Sequence, residues 1–164
     1  MGALIARKAA TKNSNVLKVV SVTSAPEAGM FLAPSVMLKM LKPSYFAAML
    51  SGKEFVLTQQ DACELMGNEL ILEDMNSLFS LTGAESGRAA RDITNQVHVD
   101  KIKVPSLVIG AGRDHITRVG IQRQIARRHD SQYTEFTGAC HMIPLDSNVQ
   151  KLAFERITRF LQRN

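Results

Sequence analysis

The sequence predicts an α/β fold in which parallel strands alternate with flanking helices. Three observations carry this. Residues 17–23 (LKVVSVT) and 106–110 (SLVIG) are short runs dense in branched apolar residues, the mark of strands buried on both faces. Segments of helical periodicity lie between and after them, and the chain closes on a strongly amphipathic helix. Strands separated by helices pair in parallel through right-handed crossovers. In such sheets the chemistry sits beyond the C-terminal strand ends.

Composition narrows the class. The 164 residues suffice for one substantial core. A hydrophobic share of 45% against 21% charged rules out a disordered or collagen-like chain. No apolar run approaches the ~20 residues of a membrane span, and the opening MGALIA lacks the basic-apolar-small order of a signal peptide. Cys63 and Cys140 form neither a disulfide framework nor a metal-ligand spacing, so a reducing, cytoplasmic setting is expected. Arg118, Arg123, Arg127 and Arg128 cluster, but no aromatic residues interleave to stack bases. They read as a solvated helix face, so no nucleic-acid partner is expected.

Along the chain, residues 2–11 are Ala-rich with Arg7 and Lys8 placed for a helix C-terminus, and the segment has no N-cap of its own. After the strand at 17–23 the next seventy residues contain no comparable strand and read as short helices. Val36, Met37, Met40 and Leu41 recur at helical spacing, as do Tyr45, Phe46, Met49 and Leu50. Thr58 with Asp61 resembles a capping box ahead of Ala62, Leu65 and Met66. A last helix is expected from about Arg88 to Thr94. Six of the eight methionines fall in this stretch, so it is either a pliable pocket wall or the plain core of a helical layer.

Strand–helix alternation then returns. The strand at 106–110 precedes a helix with Val119, Ile121 and Ile125 inward, and residues 133–136 make a third strand. The final helix presents Val149, Leu152, Ala153, Ile157, Phe160 and Leu161 on one face, with Ser147 and Gln150 as its capping box and Arg156, Arg159 and Arg163 in its C-terminal half.

Two strand ends carry chemistry. Residues 110–116 (GAGRDHI) follow one strand and put Asp114 at the sheet rim; residues 137–142 (TGACHM) follow the next and put His141 beside it. Each alone is ordinary, since a loop Asp is usually a turn former and a loop His is usually solvated. On consecutive parallel strands, in this order, they match an acid that orients a general-base imidazole. His98 and His129 read as surface histidines, and His115 as a flank of the acid loop. Cys140, adjacent to His141, reads as packing, because neighbours in sequence rarely face each other as nucleophile and base.

The run 102–110 (IKVPSLVIG), then Asp114, Gly138 and His141 before an amphipathic terminal helix, resembles the end of an α/β-hydrolase, and the likeness spans essentially the whole chain. The resemblance implies a partial α/β-hydrolase fold with a core over 1–26 and 97–164 and a helical lid over 27–96. It implies Asp114 and His141 as triad acid and base, and Met30, Met37, Met40 and Met142 as candidate walls of a pocket for an apolar ester. No cofactor and no metal is implied.

The family's serine lies in G-x-S-x-G, and no such motif occurs here. The opening MGALIA resembles the residues that follow that serine. The chain is thus expected to begin just after the nucleophile elbow, with the Met1 backbone N–H as an oxyanion donor. An ordinary start to a smaller α/β domain is the alternative. The expected function is a carboxylic-ester hydrolase lacking its own nucleophile and inactive alone. A fragment of a dehalogenase- or epoxide-hydrolase-like enzyme, and a non-catalytic module or half of a two-chain assembly, remain open. Missing strands would bare the edge carrying Val19, Val20 and Val22, so an N-terminal-half partner chain or self-association is expected.

Overall fold

The computed structural model describes residues 1–94 and 97–163. Three strands, β1 (Val19–Val22), β4 (Ser106–Ala111) and β5 (Gln132–Phe136), form a parallel sheet in the order β1-β4-β5. Val20 pairs with Leu107 and Val22 with Ile109; Val108 pairs with Tyr133 and Ala111 with Phe136. β4 is central and every one of its residues is buried, which explains why its sequence is apolar without alternation. Its side chains still divide by period two. Leu107, Ile109 and Ala111 join Ala153 and Phe160 of α8 (Gln150–Gln162) on one face, while Val108 joins Ile121, Ile125 and Ala126 of α7 (Val119–Arg128) on the other. α1 (Gly2–Ala10) packs along β1 and buries Leu4 and Arg7.

β1 is shorter than the sequence suggested. Leu17 lies outside it and is exposed, because the pairing with β4 starts only at Val19 opposite Ser106. Among the described residues the stretch after β1 forms five helices: α2 (Pro34–Met40), α3 (Pro43–Ser51), α4 (Gln59–Met66), α5 (Leu72–Leu81) and α6 (Gly87–Thr94). The expected lid range also contains Asn95 and Gln96, and the core range Asn164, which lie outside the described residues. Thr58 caps α4 as expected, its hydroxyl accepting from the Asp61 N–H at 3.2 Å. The Asp61 carboxylate is fully buried and accepts from Lys39, Lys42, Tyr45 and Thr58, which fastens three helices together. Burial alone would raise its pKa, but those four donors hold it well below the usual carboxylate range.

Two features depart from sequence expectation here. A two-residue ladder, β2 (Glu54–Phe55) against β3 (Glu85–Ser86), joins the foot of α3 to the start of α6. Two residues are too few to show a period, and the pairing follows from helix packing: the Gly87 N–H donates to the Lys53 carbonyl at 2.9 Å. At the other end, Ser147 and Gln150 form no capping box. The Asp146 carbonyl opens α8 instead, accepting from the Val149 and Gln150 N–H groups, while the Gln150 side chain turns back to the Pro144 carbonyl. Within α8, Ala153 and Phe160 are buried, but Leu152 and Leu161 lie about half exposed at the margins of the face. Among the described residues no helix is long and apolar enough to cross a membrane.

Candidate active site

Loops leaving β4 and β5 are clamped to one another before either candidate side chain appears. Gly112 donates its N–H to the Phe136 carbonyl at 2.9 Å, and Arg113 donates to Ala139 at 3.0 Å. A Cβ on Gly112 would stand 2.4 Å from the Thr137 carbonyl oxygen, so only glycine allows the loops this close. Asp114 follows two residues after that contact, and His141 three residues after Gly138.

Asp114 is buried, and both carboxylate oxygens are committed. Oδ1 accepts from the Ile116 and Thr117 N–H groups at 2.7 and 2.8 Å. Oδ2 accepts from the Thr117 hydroxyl at 2.8 Å and from His141 Nδ1 at 2.8 Å. A carboxylate held by its own turn can only accept, so the His141 proton sits on Nδ1. Nε2 is left without a hydrogen-bond partner among the described residues. His141 is 17% exposed, against 0% for the Asp114 side chain. The pair is therefore a dry acid behind a reachable imidazole.

That imidazole borders a cavity of 210 Å³ beneath the helical segment. Its walls are apolar: Val36 and Met40 of α2, Leu65 and Met66 of α4, Phe55, Leu57, Ile93 and Ile116. Thr117, His141 and Glu85 are the polar exceptions. Met1 lines the same cavity.

Of the methionines expected to form a pocket, only Met40 lies in this wall. Met30 packs with Val108, Ile121 and Ile125, because the chain still hugs the sheet there. Met37 falls on the outer side of α2 and is 44% exposed. Met142 caps the short 3₁₀ turn Ile143–Leu145, its carbonyl taken by Leu145 and Asp146, and it lies outside the cavity wall. Met49 and Met66, unassigned from sequence, do line the cavity.

His129 is a clear correction. Rather than lying at the surface it is fully buried, at 0% exposure. Its Nδ1 accepts from the Ile102 N–H at 3.3 Å, and its Nε2 lies 2.8 Å from Glu27 Oε1. Glu27, also buried, accepts from Arg7 at 2.8 Å and Arg128 at 3.2 Å. Helix-face periodicity places His129 just past the end of α7, where sequence pattern says nothing of burial. The other lesser candidates sit where sequence put them. His98 is exposed beside Asp100, and His115 is exposed with Nδ1 2.8 Å from the Glu64 carbonyl. Cys140 is wholly buried, and burial pushes its thiol pKa up, which suits packing and not a nucleophile. Among the described residues no group of three or more His, Cys, Asp or Glu could hold a metal ion.

No family model matches this chain, and no curated protein matches it. Solved structures do. A monoacylglycerol lipase from Paleococcus ferrophilus superposes with a TM-score of 0.69 at 21% identity, covering 98% of this chain and 64% of its own. A soluble variant of monoglyceride lipase from Saccharomyces cerevisiae gives 0.68 at 15% identity, over 97% and 61%. A methylesterase from Arabidopsis gives 0.67 at 16% identity, over 98% and 65%. At such identities the likeness is one of fold. The chain spans less than two thirds of the length of each of these three proteins.

Proposed function

We propose that this chain, which carries a partial α/β-hydrolase fold, supplies the acid and base of a carboxylic-ester hydrolase acting on apolar acyl groups. The observation that carries the reading is the 2.8 Å contact between His141 Nδ1 and Asp114 Oδ2, with Nε2 unpartnered at an apolar cavity. In the proposed reaction Nε2 takes the hydroxyl proton of a serine as its oxygen attacks the ester carbonyl. Asp114 stabilises the imidazolium formed, which then protonates the leaving alkoxide. An acyl-enzyme results, and His141 activates water to cleave it. The Met1 N–H, at the same cavity, is proposed as an oxyanion donor. The helices of 27–96 are proposed as the lid that keeps the site dry.

The 164 residues contain no G-x-S-x-G, so the nucleophile in this proposal comes from outside them. The edge of β1, unpaired among the described residues, supports that reading, since a further parallel strand could add there. The test is complementation. The chain alone should hydrolyse a short nitrophenyl ester at background rate. Addition of a polypeptide carrying the preceding strands and a G-x-S elbow should restore saturable turnover. The His141→Ala chain should restore less than about 10⁻³ of that turnover, from the loss of a triad member. Saturable hydrolysis by the chain alone, or equal rescue by His141→Ala, would contradict the proposal.

A further inference from the structure

One residue grips both oxygens of the Asp114 carboxylate. Thr117 donates its N–H to Oδ1 at 2.8 Å and its hydroxyl to Oδ2 at 2.8 Å. The Ile116 N–H shares Oδ1, and His141 Nδ1 shares Oδ2. These donors fill the roughly four lone-pair sites that a carboxylate offers. Thr117 is 1% exposed, so bulk solvent does not stand in for its hydroxyl. Nor is the hydroxyl what holds the loop. Arg113 donates its N–H to the Ala139 carbonyl, and His115 Nδ1 lies 2.8 Å from the Glu64 carbonyl, which fixes the chain on either side of Asp114. The hydroxyl does not cap α7 either, since that helix starts at Val119 without a side-chain cap. Its one partner is the acid.

We infer that Thr117 is a positioning residue, whose hydroxyl sets the plane of the Asp114 carboxylate and through it the direction of the His141 imidazole. Two N–H donors on Oδ1 locate one oxygen but leave rotation about Cβ–Cγ, a broad torsion in aspartate. A donor on the second oxygen removes that freedom. Asp114 then offers Oδ2 to Nδ1 at one angle, and the ring is held against the cavity that Thr117 and His141 both line. The hydroxyl also competes with the imidazole for Oδ2, which by itself would weaken the Asp114–His141 bond. Orientation is the larger effect, because a hydrogen bond fades steeply as its angle closes. A charge-assisted one, as here, has the most to lose.

This rests on Asp114 and His141 as acid and base, but its first readout needs no nucleophile. In the ¹⁵N-labelled 164-residue chain, the His141 Nδ1 proton is followed by NMR in Thr117→Val and Thr117→Ser. The ring proton of the buried His129 is the internal control. Thr117→Val keeps the backbone donor and the branched shape and removes only the hydroxyl. Its His141 ring proton should move upfield and exchange at least about tenfold faster, the scale of one hydrogen bond to a charged group. Thr117→Ser should match the unmodified chain, and His129 should not change in either. The inference is overturned by an unchanged proton in Thr117→Val, or by slower exchange with a downfield move, the mark of competition for Oδ2. Failure of serine to restore the proton, or parallel acceleration at His129, would overturn it too. If Thr117→Val does not fold, Thr117→Ala is set against Thr117→Ser: faster exchange in the alanine variant upholds the role, and equal rates overturn it. In the complemented hydrolase, Thr117→Val should lower kcat about tenfold or more at unchanged KM, since misorientation acts on the reacting geometry. A raised KM at unchanged kcat would make Thr117 a ligand-binding residue instead. Absence of turnover in every complemented form would sink the hydrolytic reading alone, with the ring proton still deciding this one.

Discussion

Asp114 and Glu27 are both buried carboxylates facing a histidine, and they illustrate what single residues contribute. Asp114 receives three donors from its own turn and presents its last lone pairs to His141. Glu27 is the hub of a charge cluster with Arg7, Arg128 and His129. Burial alone would raise the Glu27 carboxyl. Hydrogen bonds from His129 and Arg7, and the Arg7 charge, outweigh it and leave its pKa below the ordinary 4.5. A carboxyl with a depressed folded pKa stabilises fully above its ordinary value, and that contribution is lost as pH falls through the folded value. Glu27→Gln should therefore cost about 3 kcal/mol at pH 7, with Arg7 left buried and uncompensated. It should also flatten the decline of Tm between pH 5 and pH 3; an unchanged decline would show that the cluster does not carry acid sensitivity. Cys140 offers a simpler check: in the folded protein its thiol should resist iodoacetamide while Cys63, which is partly exposed, is alkylated. Asp114 and His141 were legible in the sequence because glycine-bearing loops after strands are themselves a pattern. Glu27, His129 and Thr117 were not, since each acts through a partner distant in sequence or across a turn.

Elements were legible where they follow a local rule. Thr58 was readable as a cap because its partner lies three residues on, and β4 because all six residues are buried. The capping box of Ser147 and Gln150 failed for a physical reason: Asp146 starts the helix from a 3₁₀ turn, and Ser147 donates its N–H to Asp74 of α5 instead. The β2–β3 ladder depends wholly on how α3 meets α6. Gly87 marks that contact, and a Cβ there would lie 2.3 Å from the Ala48 carbonyl oxygen and 2.4 Å from that of Lys53. Gly87→Ala should destabilise the protein by about 1–3 kcal/mol, the range for overpacking. Gly120→Ala, in α7 where an added methyl would meet nothing within 4 Å, should stabilise it by about 0.5 kcal/mol. Chemical denaturation of the two variants should give opposite signs; matching signs would mean that backbone entropy, and not the α3–α6 contact, decides at Gly87.

On the scale of the whole molecule, the sheet has two open sides: β1, backed by α1, and β5 each have one backbone edge unpaired among the described residues. Ser21, on β1, has a buried hydroxyl without a partner among the described residues. Nearby Ile5 and Leu17 are 62% and 77% exposed. An edge of this kind is a template for pairing. Sedimentation should show concentration-dependent association of the chain, reversed when a polypeptide supplying a strand for β1 is added. A monomer at millimolar concentration would contradict this. The parallel pairing was readable from strand–helix alternation, but nothing in a strand's own sequence states whether its far edge is covered.

The central claim is that Asp114 and His141 form one working unit, with a proton on Nδ1 toward Asp114 and Nε2 facing the cavity. The protein contains its own control, because His129 must carry its proton on Nε2 in order to accept from Ile102 at Nδ1. The direct measurement is nitrogen-detected NMR of the histidine rings in uniformly ¹⁵N-labelled protein, assigned with His141→Ala and His129→Gln. His141 should appear as the Nδ1–H tautomer, with a slowly exchanging ring proton that disappears in Asp114→Asn, while His129 remains Nε2–H in both proteins. A His141 found as the Nε2–H tautomer, or one whose ring proton is indifferent to Asp114→Asn, would contradict the account.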